Sequence, residues 1–299
     1  MKSLESKDER GFKRFSLFMM LLITLLTFLP FVLMLVSSFT DESTLVKDGY
    51  SFFPEKFSLD AYFYIYQNLS TFLRAYGVSI FVTVVGTTIS LIITAMIAYP
   101  IARKDFKYRN VLAFIVFFTM LFSGGVVPTY IMWTKVFAIQ NTIAALIFPN
   151  YLLSAFNVFL VVNFFRNNVP VSLIESAQID GASEMKIFFK IMLPLSVPVL
   201  ATVGLFTALI YWNDWINALY FISDTKLYGI QNLLINLMNN IQFLNSDSAS
   251  TALGTNSVTL PSTAVRMAMG VIGILPILLA LPFLQKYLIK GVVIGAVKE

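Results

Sequence analysis

Six long apolar runs separated by polar stretches dominate the chain. They cover roughly Phe15 to Phe39, Ala75 to Ala102, Val111 to Trp133, Thr142 to Phe165, Leu195 to Ile222 and Val265 to Ile289. A helix rises about 1.5 Å per residue and needs about 20 residues to cross about 30 Å of hydrocarbon, which each run supplies. The pattern predicts an all-α membrane protein with six transmembrane helices. Lys2, Lys7, Arg10, Lys13 and Arg14 precede the first run, like the charged start of a secretory signal. That run is too long for a signal peptide, and no small-x-small cleavage site follows before Thr40. It is expected to remain as an anchor helix.

The connections give the orientation. Of the 21 Lys and Arg residues, 15 fall in the N-terminal segment, the second and fourth connections and the C-terminal end from Lys286 on. They are the five above, Arg103, Lys104, Lys107, Arg109, Arg166, Lys186, Lys190, Lys286, Lys290 and Lys298. Lys47, Lys56, Arg74, Lys135, Lys226 and Arg266 fall on the other side. The positive-inside rule then puts both termini in the cytoplasm. The expected organisation is a cytoplasmic N-terminal segment 1–14, a transmembrane domain 15–290 and a cytoplasmic tail 291–299. External loops 41–74 and 223–264, the second rich in Asn, Ser and Thr, are long enough to meet an outside partner.

Composition removes other classes. The chain has 299 residues, 58% hydrophobic and 12% charged, with mean hydropathy +0.78. Soluble domains carry about 25% charged residues, so a water-soluble enzyme is excluded first. Neither Cys nor His occurs, which removes disulfides, thiolate nucleophiles, the commonest transition-metal ligands and the usual near-neutral base. No metal site is expected. The 14 glycines include no G-x-x-x-x-G-K-[ST] stretch, so any ATP must be bound by another subunit. The net charge of +5 is scattered between apolar runs, which speaks against nucleic acid as a partner.

The longest inside connection, 166–194, carries the most specific pattern. Ser172-Leu173-Ile174-Glu175 reads as a capping box that starts a helix at Leu173. Asp180-Gly181 is a turn signal, because Gly reaches positive φ and Asp bonds its own backbone. A second helix then carries Ile187, Phe188, Ile191 and Met192 on one face until Pro194 ends it. Two short helices meeting at small Ala177, Gly181 and Ala182 make a knob that another protein's groove could receive. An amphipathic pair lying on the lipid surface is the alternative.

Glu175-Ser176-Ala177-x-x-Asp180-Gly181-Ala182, followed by Phe188, Ile191, Leu193-Pro194 and Pro198, resembles the EAA loop of ATP-binding-cassette importer permeases. Ser176 stands where the second Ala is usual, a small-for-small change. Gly49-Tyr50-Ser51, Phe57 to Tyr62, Pro128-Thr129-Tyr130, Asn141-Thr142, Trp212 to Trp215 and the Lys286 to Lys298 tail extend the likeness over nearly the whole chain. They resemble the carbohydrate-uptake branch, nearest its maltose-type G-like permeases for oligosaccharides. The resemblance implies the type I importer permease fold, with a second permease, two copies of a cytoplasmic ATPase holding ATP and Mg, and an external solute-binding protein. It favours a heterodimer and implies no cofactor on this chain. It also implies that the 172–194 loop seats in the ATPase, with Glu175 fixing the first helix and meeting the ATPase. Gly181 would allow the bend, and Ile187, Phe188 and Ile191 would pack at the interface.

Asp214 is the ionisable residue well inside a predicted span, and such carboxylates mark a pathway or a partner by default. Thr207 and Tyr211 share its helical stripe, with Trp212, Asn213, Trp215 and Asn217 beside it. Aromatic rings with amide and carboxylate groups suit a sugar. These residues read as pathway lining, as an outer gate or binding-protein contact, or as an aromatic belt with a structural acid. Asn150, Ser154 and Asn157 form a second candidate face on a wet cavity. Ser79, Thr83, Gly86, Thr87, Ser90 and Thr94 read as helix packing, as do Gly270 and Gly273. A self-sufficient secondary transporter is the reading from another class, but a lone intramembrane acid and no internal repeat are poor material for ion coupling.

Overall fold

A computed structural model describes residues 7–244 and 262–296 of the chain. These residues are helical apart from turns, irregular connections and one isolated bridge between Thr40 and Phe57. They divide between two units, one within Met1–Leu69 and Asn236–Pro276, the other within Ser70–Ile235 and Ile277–Glu299.

The first unit opens with α1 (Lys7–Ser38), which includes Pro30. Its apolar stretch Gly11–Ser38 is almost entirely uncovered by the chain itself, the surface expected of a helix that meets lipid. Its hydroxyls are turned inward: Thr24 and Thr27 donate to the carbonyls of Met20 at 2.7 Å and Ile23 at 3.0 Å. Asp41 caps α2 (Glu42–Asp48) by accepting the Ser43 N–H, and Gly49 ends it at φ 76°. The same aspartate accepts the Ser43 hydroxyl, which holds its carboxyl below the usual range. After α3 (Asp60–Gln67) the unit is completed by the N-terminal part of the last helix, Ser262–Ala296. Glu42 caps that helix, accepting the N–H of Thr263 at 2.9 Å and of Ala264 at 2.9 Å. Gly270 lets it close on Met34, whose sulfur lies 2.8 Å from where a Cβ would stand.

The second unit begins with α4 (Leu69–Ala102), 34 residues that match the second predicted span. Its small stripe packs inward as expected: Ser79, Gly86, Ser90 and Thr94 are buried. Then come α5 (Arg109–Leu121), α6 (Val126–Ile131), α7 (Ala144–Ile147) and α8 (Ala155–Asn168). They are followed by α9 (Val171–Ile179), α10 (Glu184–Ile187), α11 (Leu193–Leu195), α12 (Val197–Trp212), α13 (Ile216–Phe221) and α14 (Ile230–Leu244), whose residues from Asn236 on belong to the first unit. The last helix, Ser262–Ala296, is α15. One core joins α4, α8, α10 and α12 through Ala98, Val158, Val161, Ile187 and Val203. A second joins Val82, Leu146, Tyr211 and Phe221.

Three predicted spans are not single straight helices. The third breaks after Leu121, and Gly125 at φ 81° opens α6, which runs into a π-helix at Met132–Val136. Its two halves meet at 115°. The fourth is α7, an irregular stretch through Pro149 and Asn150 (φ 68°), and the 14 residues of α8. Pro149 brings no N–H to continue a helix. The carbonyls left open there are met by side chains: Tyr211 donates to Ile147 at 2.8 Å and Asn217 to Pro149 at 3.1 Å. The fifth stops at Trp212 and restarts as α13. Broken helices at membrane depth require such internal satisfaction.

Other boundaries move outward. The first helix already begins at Lys7, and α15 continues through 291–296, a stretch expected as tail. Within the expected external loop 223–264, residues 230–244 form α14, whose first N–H, that of Ile230, is taken by the Ser79 hydroxyl at 2.8 Å. Residues 1–6, 245–261 and 297–299 of the expected segments lie outside the described residues.

Candidate functional site

The 166–194 connection forms two short helices, as its pattern predicts, but begins differently. Pro170, extended at φ −62° and ψ 127°, is the N-cap of α9, and Val171 is its first residue. Proline's fixed φ suits a helix entry, so Ser172 falls inside the first turn, and the Ser172–Glu175 capping box does not form. Ser172 and Glu175 are instead exposed on α9.

The corner follows the Asp180-Gly181 signal. Gly181 takes φ 71°, the Gly181 N–H reaches the Gln178 carbonyl at 3.0 Å, and the Ala182 N–H reaches Ala177 at 2.9 Å. A Cβ at Gly181 meets nothing within 4 Å, so only its backbone conformation demands glycine. Ser183 caps α10 by accepting the Lys186 N–H at 3.4 Å.

The second helix differs from expectation twice. It widens to a π-turn at Phe188–Met192 and continues through Pro194 to Leu195, so Pro194 does not end it. The widened turn shifts the carbonyl register just before Pro194, the Leu193 N–H reaching back to Phe188, and Pro194 itself brings no N–H. The helix then bends by 78° into α12. Ile187 and Phe188 are buried and Ile191 is half-buried, all against this chain's own core. They anchor the loop to the body and are not an outward face. Outward lie Glu175, Asp180 and Gly181, with Ile179 at 86% exposure beside them. Ala177 and Ala182 line the inside of the corner.

Polar side chains missed in the sequence tie this corner to α4. Glu184 accepts the Tyr99 hydroxyl at 2.5 Å, the Gln178 amide at 3.1 Å and an Arg103 N–H at 3.4 Å. Arg103 also grips Asp105 in a fork and holds its carboxyl below the ordinary range. Tyr99 and Arg103 sit four residues apart at the end of α4, the spacing that places two side chains on one face. Beside them, Arg103, Lys104, Arg166, Glu175 and Gln178 border a cavity of about 530 Å³.

Asp214 occupies the break between α12 and α13. Its Oδ1 accepts the N–H groups of Ile216 at 3.0 Å and Asn217 at 3.1 Å, and the Tyr151 hydroxyl at 3.2 Å. Asn150 donates to Asn217 Oδ1 at 2.8 Å. Asn150, Tyr211 and Asp214 thus gather around Asn217, which the sequence set beside Asp214, and Tyr151, which it did not single out. Asn157 and Thr207 meet at 3.4 Å between α8 and α12, while Ser154 stands at the N-cap of α8. Trp212 is buried against Tyr76. Asn213 donates to its own helix at Leu209, and Trp215 is exposed.

Residues 90–294 match the family described as binding-protein-dependent transport system inner membrane component. The chain belongs to this family. The permease is 42% identical to protein LplC of Bacillus subtilis over 90% of this chain and 88% of that one. It is 38% identical to the polygalacturonan/rhamnogalacturonan transport system permease protein YtcP of the same organism, over 90% and 91%. The arabinooligosaccharides transport system permease protein AraQ of Halalkalibacterium halodurans is 28% identical over 89% of each. A chain in the crystal structure of a bacterial ABC transporter that imports the acidic polysaccharide alginate superposes with a TM-score of 0.77 at 27% identity. That match covers 96% of this chain and 99% of the other. The fold is that of a type I ABC importer permease. Membership implies work beside another permease, ATPase subunits and a solute-binding protein.

Proposed function

We propose that this permease, paired with a distinct second permease and two ATPase subunits, carries an oligosaccharide delivered by an external binding protein into the cytoplasm. The observation that carries the cargo is the agreement among relatives named for polygalacturonan/rhamnogalacturonan and arabinooligosaccharide transport, with alginate import in the structural relative. Two unbroken apolar helices, two bent pairs, the α7–α8 segment and α15 support six crossings of the cytoplasmic membrane. The Lys and Arg distribution supports cytoplasmic termini.

In this reading the exposed corner of α9 and α10 seats in the ATPase. Ile179, Asp180 and Gly181 form its tip, and Ser172 and Glu175 its flank, while Ile187, Phe188, Ile191 and Pro194 fix it from behind. ATP with Mg resides on the ATPase subunits and this chain carries no ATPase site. When ATP closes the ATPase pair, the corner moves and the helices switch from inward-open to outward-open, a two-state change biased by ligand. Asn150, Ser154, Asn157 and Tyr211 to Trp215 border the sugar path at the breaks in the helices, where the exposed Trp215 offers a stacking face.

Uptake of a labelled oligogalacturonide by cells expressing the whole transporter tests the cargo. Excess unlabelled oligosaccharides are expected to suppress uptake, and peptides or polyamines are not. Suppression by peptides alone would assign the permease to another solute.

A further inference from the structure

The contact between the corner and α4 is polar, half-exposed and built from three elements. Glu184 stands at the first position of α10, fixed by the Ser183 cap. Its carboxylate gathers Tyr99 and Arg103 from the end of the second span and Gln178 from α9. Arg103 donates to the Tyr99 hydroxyl at 3.2 Å and lies over its ring at 5.8 Å, and that ring packs on Phe188 at 5.3 Å. The Arg103 side chain is only 11% exposed, against 56% for Glu184. Alongside, the cavity bordered by α9, the end of α8 and residues 102–105 leaves part of α9 without packed side chains behind it. A push on α9 therefore has a short stiff route into α4 through Gln178 and Glu184. Exposed ion pairs add little to stability, so a cluster that joins both loop helices to one span is better explained by what it holds in register.

We propose that Glu184 is a positioning residue: with Tyr99 and Arg103 it forms the strut that carries the corner's displacement into the second span, and it stays closed through the transport cycle. This rests on the importer reading above. The whole complex, reconstituted in liposomes with its binding protein, supplies the test through two ratios, ATPase recovered per permease and solute moved per ATP hydrolysed. Glu184→Ala is expected to keep the ATPase in the complex and its basal hydrolysis within about twofold, while solute per ATP falls at least fivefold. Glu184→Gln, which can still accept from Tyr99, is expected to lose less. The chain has no cysteine, so Tyr99→Cys/Glu184→Cys can be joined by a short bis-maleimide. Joining is expected to recover at least half of the wild-type ratio. Normal solute per ATP in Glu184→Ala, loss of the ATPase from that variant, or a joined pair that stays uncoupled would each overturn the strut. Failure of the wild-type complex to retain an ATPase would instead overturn the importer reading.

Discussion

Single residues decide how tightly this helical chain closes. At Gly86 a Cβ would stand 2.6 Å from Cζ of the Tyr211 ring, which is held by its hydroxyl on the Ile147 carbonyl. Overpacking of this kind costs about 1–3 kcal/mol. Gly86→Ala is therefore expected to lower the melting temperature of the purified complex, and to add no further loss in a Tyr211→Ala background, since contacting residues couple. An equal loss in both backgrounds would show that the ring is not the obstacle. At this scale the sequence was legible where a residue's own chemistry fixes its backbone, as at Gly181. It was misleading where a neighbour wins. Pro170 takes the cap that Ser172 was expected to hold. Glu184 was not legible at all, because its partners Tyr99 and Arg103 lie more than 80 residues away.

Helices were legible as apolar runs, but their continuity was not. Hydropathy sums composition over a window and so does not register a break of four residues at Phe122–Gly125 or the turn at Pro149-Asn150. Those breaks survive because side chains from other helices, Tyr211 and Asn217 among them, take the open carbonyls. Helix ends also depend on distant donors and acceptors, as Glu42 illustrates. Its carboxylate accepts the Thr263 and Ala264 N–H groups, where a positive helix terminus favours negative charge. Glu42→Ala is expected to cost about 0.5–2 kcal/mol, the range for a lost N-cap. Amide exchange at 263–266 is expected to quicken while that of α4 is unchanged; unaltered exchange at 263–266 would contradict the capping role.

At the scale of the whole molecule, the family was legible because the corner motif is long and its residues sit at fixed spacing, and the match over 90–294 agrees with it. Which residues face outward was not, because a helix with two apolar sides hides which one its own body will cover. The body takes Ile187 and Phe188 and leaves Ile179 out. We propose that this outward corner couples the permease to its ATPase. A tagged pull-down in mild detergent, wild type beside Gly181→Asp, tests it most directly. A side chain at φ 71° strains the corner, and the added charge meets the groove. Wild type is expected to bring down a P-loop ATPase and a second permease, and Gly181→Asp to keep the second permease but lose the ATPase. Retention of the ATPase by Gly181→Asp, or a wild-type chain that elutes only with itself, would rule out coupling through the corner.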